Sequence, residues 1–143
     1  MALAVPLARE APAADAPSAG ASAETADVPH EPWSPARVAA LRAEGRPVFV
    51  NFTAAWCVTC QVNERTSLST KTVAEALTRN NAVYLKADWT NRDAAIAAAL
   101  AEHGRAGVPL YLVYGAGGSS PAVLPQLLTE GMVAEALDKA AAR

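Results

Sequence analysis

The sequence predicts an α/β domain with a central mixed sheet of four or five strands and helices on both faces. Three observations predict it. Short β-branched and aromatic runs at 47–53, 82–88 and 109–114 have the length and composition of buried strands. Amphipathic helical stretches separate them, so strands and helices alternate along the chain. A glycine-rich turn, Gly115-Ala116-Gly117-Gly118, then leads into a last short strand and a closing helix.

The elements follow in order. Residues 1–32 carry no apolar periodicity, and Pro6, Pro12, Pro17 and Pro29 interrupt any helix. Their Ala, Pro, Glu, Asp and Ser content buries too little surface to offset the entropy of ordering, so a disordered tail or linker is expected. The domain proper is expected over 33–143. Ser34 and Pro35 form a helix start, Val38, Leu41 and Arg42 follow at helical spacing, and Gly45 closes the helix. The first strand, through Val48 and Thr53, runs into a cysteine-bearing helix that continues past Gln61, Glu64 and Arg65. A further helix, Thr70 to Arg79, places Val73, Ala76 and Leu77 on one face. After the second strand, Asn91 or Thr90 is expected to cap a helix from Arg92 to His103, with Gly104 as its stop. Pro109 opens the third strand. The fourth, Ala122 to Leu127, is expected at an edge, because Pro121 and Pro125 donate no ladder hydrogen bond. The closing helix, 130–141, turns Met132, Val133, Ala136, Leu137 and Ala140 inward.

Bulk composition excludes several function classes. The chain has 143 residues, suited to one domain rather than two. A formal charge of −2 and a pI near 5.6, with no basic stripe, argue against nucleic-acid binding. No stretch approaches the roughly 18 apolar residues of a membrane span. Met1 to Ala8 is too short for the apolar core of a signal peptide and lacks a basic start.

The cysteines carry the chemistry. There are two, Cys57 and Cys60, too close in sequence to staple a domain together. They are consistent with a local reversible disulfide or half of a metal site. A cysteine in the first turn of a helix lies among unsatisfied backbone N–H groups at the positive end of the helix dipole. Both favour the thiolate, which is the nucleophile in disulfide exchange. Cys60, three residues on, shares the helical face and can close a small ring with Cys57. Trp56 adds a flat apolar surface beside the sulfur. A zinc site needs two further ligands, and only His30 and His103 offer nitrogens; no metal or other cofactor is expected. Pro109, at the start of a strand expected beside the cysteines, fits a cis bond, a sheet edge or an ordinary strand start.

Taken together, Val48 to Thr53, then Ala54-Ala55-Trp56-Cys57-Val58-Thr59-Cys60, then Gly107-Val108-Pro109 resemble the thioredoxin superfamily and its fold. The resemblance is nearest to the C-terminal domain of the DsbD-type transmembrane thiol–disulfide reductases. It is carried by Trp-Cys-Val-x-Cys, by Glu64 four residues after the second cysteine, and by Lys86-Ala87-Asp88-Trp89-Thr90-Asn91. It covers about residues 33–143, and the tail then corresponds to a linker after a membrane-embedded electron-transfer domain. The resemblance implies a monomeric periplasmic domain of an inner-membrane protein. Such a domain relays electrons from the membrane-embedded dithiol to partner proteins through transient mixed disulfides. It further implies that Cys57 attacks the partner, Cys60 resolves the mixed disulfide, and Pro109 is a cis-proline. Val108 would pair with an extended partner segment, and Trp56, Val58, Val108 and Pro109 would form the contact surface.

One position departs from that pattern. Where relatives place a buried Asp six residues before the first cysteine, this chain has Asn51. An amide cannot ionise, so the like-charge penalty on a Cys57 thiolate is smaller, and Glu64 is left as the nearby carboxylate able to accept a proton. The plainer readings are a satisfied buried amide at Asn51 and a solvated helix acid at Glu64. Two other functions compete: a general thioredoxin-like reductant, and a non-catalytic binding module in which the cysteines are incidental.

Overall fold

The computed structural model describes residues 24–142. Its elements are β1 (Glu31–Pro32), α1 (Pro35–Ala43), β2 (Val48–Thr53), α2 (Val58–Asn63), α3 (Lys71–Arg79), β3 (Val83–Asp88), α4 (Ala94–Glu102), β4 (Leu110–Tyr114), β5 (Ala122–Val123) and α5 (Glu130–Ala141). A π turn over Glu64–Leu68 extends α2. The five strands form one sheet in the order β1-β3-β2-β4-β5. β3 is parallel to both β1 and β2, while β4 runs antiparallel to β2 and to β5.

Alternation along β2 sorts its side chains between two cores. Val48, Val50 and Phe52 pack with Leu85, Leu110 and Leu112 against Val38 and Leu41 of α1 and Ile96 and Leu100 of α4. Phe49 points the other way and packs with Tyr84, Tyr111 and Val113 against Val73 and Leu77 of α3 and Val133 and Leu137 of α5. Helices therefore cover both faces, as the alternating pattern predicts. Both β2 and β4 lie between other strands, and every residue of β2 is buried.

Caps set the helix limits. Ser34, Thr70 and Thr129 each accept a backbone N–H three residues on, and α1 stops before Gly45, whose φ of 81° a side chain would resist. The expected cap of α4 is corrected. Asp93, not Asn91 or Thr90, caps it by accepting from Ile96 N at 3.0 Å, so the helix begins at Ala94. Thr90 is drawn away because its own N–H and hydroxyl donate to Asp88 Oδ1. The expected fourth strand, 122–127, shrinks to Ala122–Val123, which ends before Pro125.

Residues 24–32 belong to the structure rather than to a tail that gives way to order at Trp33. Ala26 N donates to Ser69 O at 3.0 Å, Lys71 N donates to Glu24 O at 2.8 Å, and Glu31 and Pro32 pair with Leu85 and Lys86. The edge of β3 and the backbone at Ser69 and Lys71 supply the partners that composition could not reveal. The rest of the expected tail, 1–23, lies outside the described residues.

Candidate redox site

The sheet topology gathers the site. The parallel strands β2 and β3 end side by side at Thr53 and Asp88, so the segments after them emerge at one sheet end. β4 enters antiparallel with Leu110 beside Phe52, which brings Val108 and Pro109 to the same end. Cys57 follows β2, Trp89 to Arg92 follow β3, and Val108 packs against Cys57, Cys60 and Ala54.

Cys57 is the N-cap of α2, one position before the first turn expected from sequence. Its Sγ accepts the N–H of Cys60 at 3.2 Å, and its own N–H donates to Ala54 O at 3.1 Å. The two cysteines form a disulfide with their Cα atoms 5.2 Å apart. Cys57 keeps 8% of its surface exposed, whereas Cys60 has none. The Val108–Pro109 bond is cis. Pro109 is itself buried, so of the four residues expected to form a contact surface only Trp56, Val58 and Val108 present one. Trp56 is 47% exposed and Val58 77%. The Trp56 indole N–H donates to Thr90 O at 3.1 Å, and Ala55 N donates to Thr90 Oγ1 at 2.9 Å, tying the two segments together.

Four residues past Cys60, Glu64 joins a partly buried polar cluster. Asn51, fully buried on β2, donates through Nδ2 to Glu64 Oε2 at 3.1 Å and to Tyr84 Oη at 3.0 Å. Thr53 Oγ1 donates to the same Glu64 oxygen at 2.7 Å, and Lys86 Nζ stands 3.6 Å from Glu64 Oε1. An acceptor-only carboxylate next to Asn51 dictates the amide orientation: Nδ2 must face Glu64, which leaves Oδ1 without a partner among the described residues. Burial pushes the Tyr84 phenol well above its ordinary range, partly offset by the hydrogen bond from Asn51. Burial likewise pushes Tyr111 up to about 12, against the opposing hydrogen bond from Asn63 at 2.8 Å. His30, from the segment expected to be a tail, sits with its ring 5.4 Å from that of Tyr84. Burial and the nearby Lys86 lower its pKa.

Residues 29–116 match the thioredoxin-like family. The chain belongs to that family. No curated protein sequence matches it. Among solved structures, the thioredoxin-like domain is similar to the oxidised DsbD C-terminal domain of Neisseria meningitidis, with a TM-score of 0.62 at 22% identity over 78% of this chain and 98% of that one. The reduced form of the same domain gives 0.58 at 25% identity, covering 70% and 86%. A mutant thioredoxin from Halobacterium salinarum gives 0.58 at 21% identity, covering 84% and 96%. The likeness to DsbD-type C-terminal domains expected from the Trp-Cys-Val-Thr-Cys run is thus found in the thioredoxin fold itself.

The thioredoxin-like frame brings together Cys57, Cys60, Trp56, Val58, Val108 and Pro109, and sets Asn51 and Glu64 in one hydrogen-bonded cluster. Glu64 is not a solvated helix acid, because its carboxylate oxygens face Asn51, Thr53 and Lys86. Neither histidine joins the cysteines, and among the described residues no group of three or more His, Cys, Asp or Glu side chains could hold a metal ion. Sequence reasoning missed Thr53 and Lys86, although Thr53 shares the strand face of Asn51 two residues on, a spacing visible in sequence. It also missed Arg92, whose guanidinium lies over the rings of Trp56 and Trp89 at 4.7 and 4.9 Å. Its place in the segment after a parallel strand is the one signal that points to it.

Proposed function

We propose that this domain catalyses thiol–disulfide exchange with partner proteins, working as a protein-disulfide reductase. The supporting observation is the asymmetry of the pair: Cys57 caps a helix and keeps a small exposed edge, whereas Cys60 is wholly buried. In the reduced domain the Cys57 thiolate, favoured by the helix N-terminus and the Cys60 N–H, attacks one sulfur of a partner disulfide. A mixed disulfide forms and the partner's other sulfur leaves as a thiolate. Cys60, losing its proton, then attacks Cys57 Sγ. The partner leaves with both sulfurs reduced, and the two electrons it gains are balanced by formation of the Cys57–Cys60 disulfide. Glu64, four residues after Cys60 and held by Asn51 and Thr53, is the acceptor assigned to the Cys60 proton. The finer reading, implied by the Trp-Cys-Val-Thr-Cys resemblance, is a periplasmic domain, working as a monomer, re-reduced by a membrane-embedded dithiol. Among the described residues no helix is long and apolar enough to cross a membrane, so that dithiol would lie on another segment or protein.

A rapid-quench time course with a disulfide-bonded protein substrate tests this. Cys60→Ser should accumulate a mixed disulfide through Cys57, and Glu64→Gln should slow partner release several-fold. Equal trapping by Cys57→Ser would refute the assigned roles, and release unaffected by Glu64→Gln would remove the carboxylate from the mechanism.

A further inference from the structure

Arg92 has a backbone φ of 59°, in the left-handed region where a long side chain is uncommon and Asn or Gly is expected. The other non-glycine residue found there among the described residues is Asn81, which fits that expectation. Something other than local backbone preference therefore accounts for an arginine at this corner. Its guanidinium lies over two indoles, Trp56 at 4.7 Å and Trp89 at 4.9 Å, whose ring centroids are 6.0 Å apart. Cation–π attraction holds the group without using its N–H donors.

Those donors are unspent. Arg37, Arg42, Arg46, Arg79 and Arg105 each donate to a carboxylate or carbonyl oxygen. Among the described residues no hydrogen bond or ion pair holds the guanidinium of Arg65 or of Arg92, and of these two only Arg92 is fixed over aromatic rings. The acids nearest in sequence turn one oxygen each to nearby backbone rather than to Arg92: Asp88 Oδ1 accepts from Thr90 N, and Asp93 Oδ2 accepts from Ile96 N. An oriented, exposed cation thus stands over Trp56, the residue next to Cys57, on a surface otherwise formed by Trp56, Val58 and Val108.

We propose that Arg92 is a specificity residue of the exchange site, binding a carboxylate on the partner segment that presents its disulfide to Cys57. The planar guanidinium fork matches a carboxylate, and a partner acid there would meet a guanidinium with free N–H donors beside an apolar shelf. The inference rests on the exchange reading above and names the class of partner: a disulfide-bearing segment with an acidic residue close to the reactive cysteine.

The test uses the reduced full chain and two synthetic peptides. Each carries one intramolecular disulfide, and they differ only in Glu or Gln beside the attacked cysteine. The Glu peptide should react about fivefold faster at low ionic strength, as expected of an exposed but oriented ion pair, and salt should erode the difference. In Arg92→Gln the two peptides should react alike, while Arg92→Lys should keep part of the preference as a point charge. Comparing two peptides within one variant cancels any change in folding. Equal rates in the parent chain, or an undiminished preference in Arg92→Gln, overturn the proposal. Failure of both peptides to react overturns the exchange reading and this inference with it, which distinguishes the two failures.

Discussion

At the scale of single residues, the chemistry turns on an amide. Asn51 occupies a fully buried strand position and shares Glu64 with Thr53, so one carboxylate serves two donors. Introducing Asn51→Asp would set two carboxyl groups within hydrogen-bond reach of one another, where both cannot ionise freely. The added negative charge should raise the apparent pKa of Cys57 by about one unit. Thiolate absorbance followed against pH in the reduced variant checks this, and an unchanged or lowered value refutes it. That Asn51 and Glu64 matter together was partly legible in the sequence, because both were candidates. Their direct bond was not, since it depends on how α2 turns after Asn63.

Among the elements, the segment between β3 and α4 does more than connect them. Trp89 N donates to Thr53 O at 2.7 Å, Thr90 receives Trp56 and Ala55, and Arg92 crosses both indoles. Asp93 ends the segment by capping α4. Asp93→Ala should therefore cost about 1 kcal/mol of stability, as losing an N-cap does elsewhere. Urea unfolding checks it, and an unshifted midpoint would mean that the cap is idle. This cap illustrates a limit of reading caps from sequence. Thr90, Asn91 and Asp93 are all good capping types; Thr90 is engaged with Asp88, and the helix starts where Asp93 can accept from Ile96 N. The π turn over Glu64–Leu68 was likewise invisible in the pattern of apolar residues, yet Glu64 opens it.

For the whole molecule, two buried phenols make stability depend on alkaline pH. Burial holds Tyr84 and Tyr111 protonated in the folded state beyond the ordinary tyrosine value of 10.0. A group whose pKa is raised by folding contributes its full stabilisation below the unfolded value and loses it as pH rises toward the folded one. Stability should thus be flat toward pH 10 and decline from there to about 12, where Tyr111 ionises in the folded state. Urea midpoints across that range should show the decline, and Tyr84→Phe should make it shallower. A decline equally steep in that variant would assign the loss to other groups.

By itself the sequence determined the layered α/β class, the three long strands, most helix limits, and the pair Cys57 and Cys60 at a strand-to-helix junction. These rest on short-range physics: apolar periodicity, capping residues, and the 3.6-residue repeat that puts positions three apart on one face. The resemblance that the motif carried also anticipated the cis Val108–Pro109 bond. Tertiary structure decided what lies across from what. It placed Glu31 and Pro32 on the edge of β3, joined Asn51, Thr53 and Lys86 around Glu64, and set Arg92 over Trp56. Those contacts join residues far apart in the chain, and their partners are chosen by strand register and by the meeting of loops at one sheet end, which no local pattern encodes.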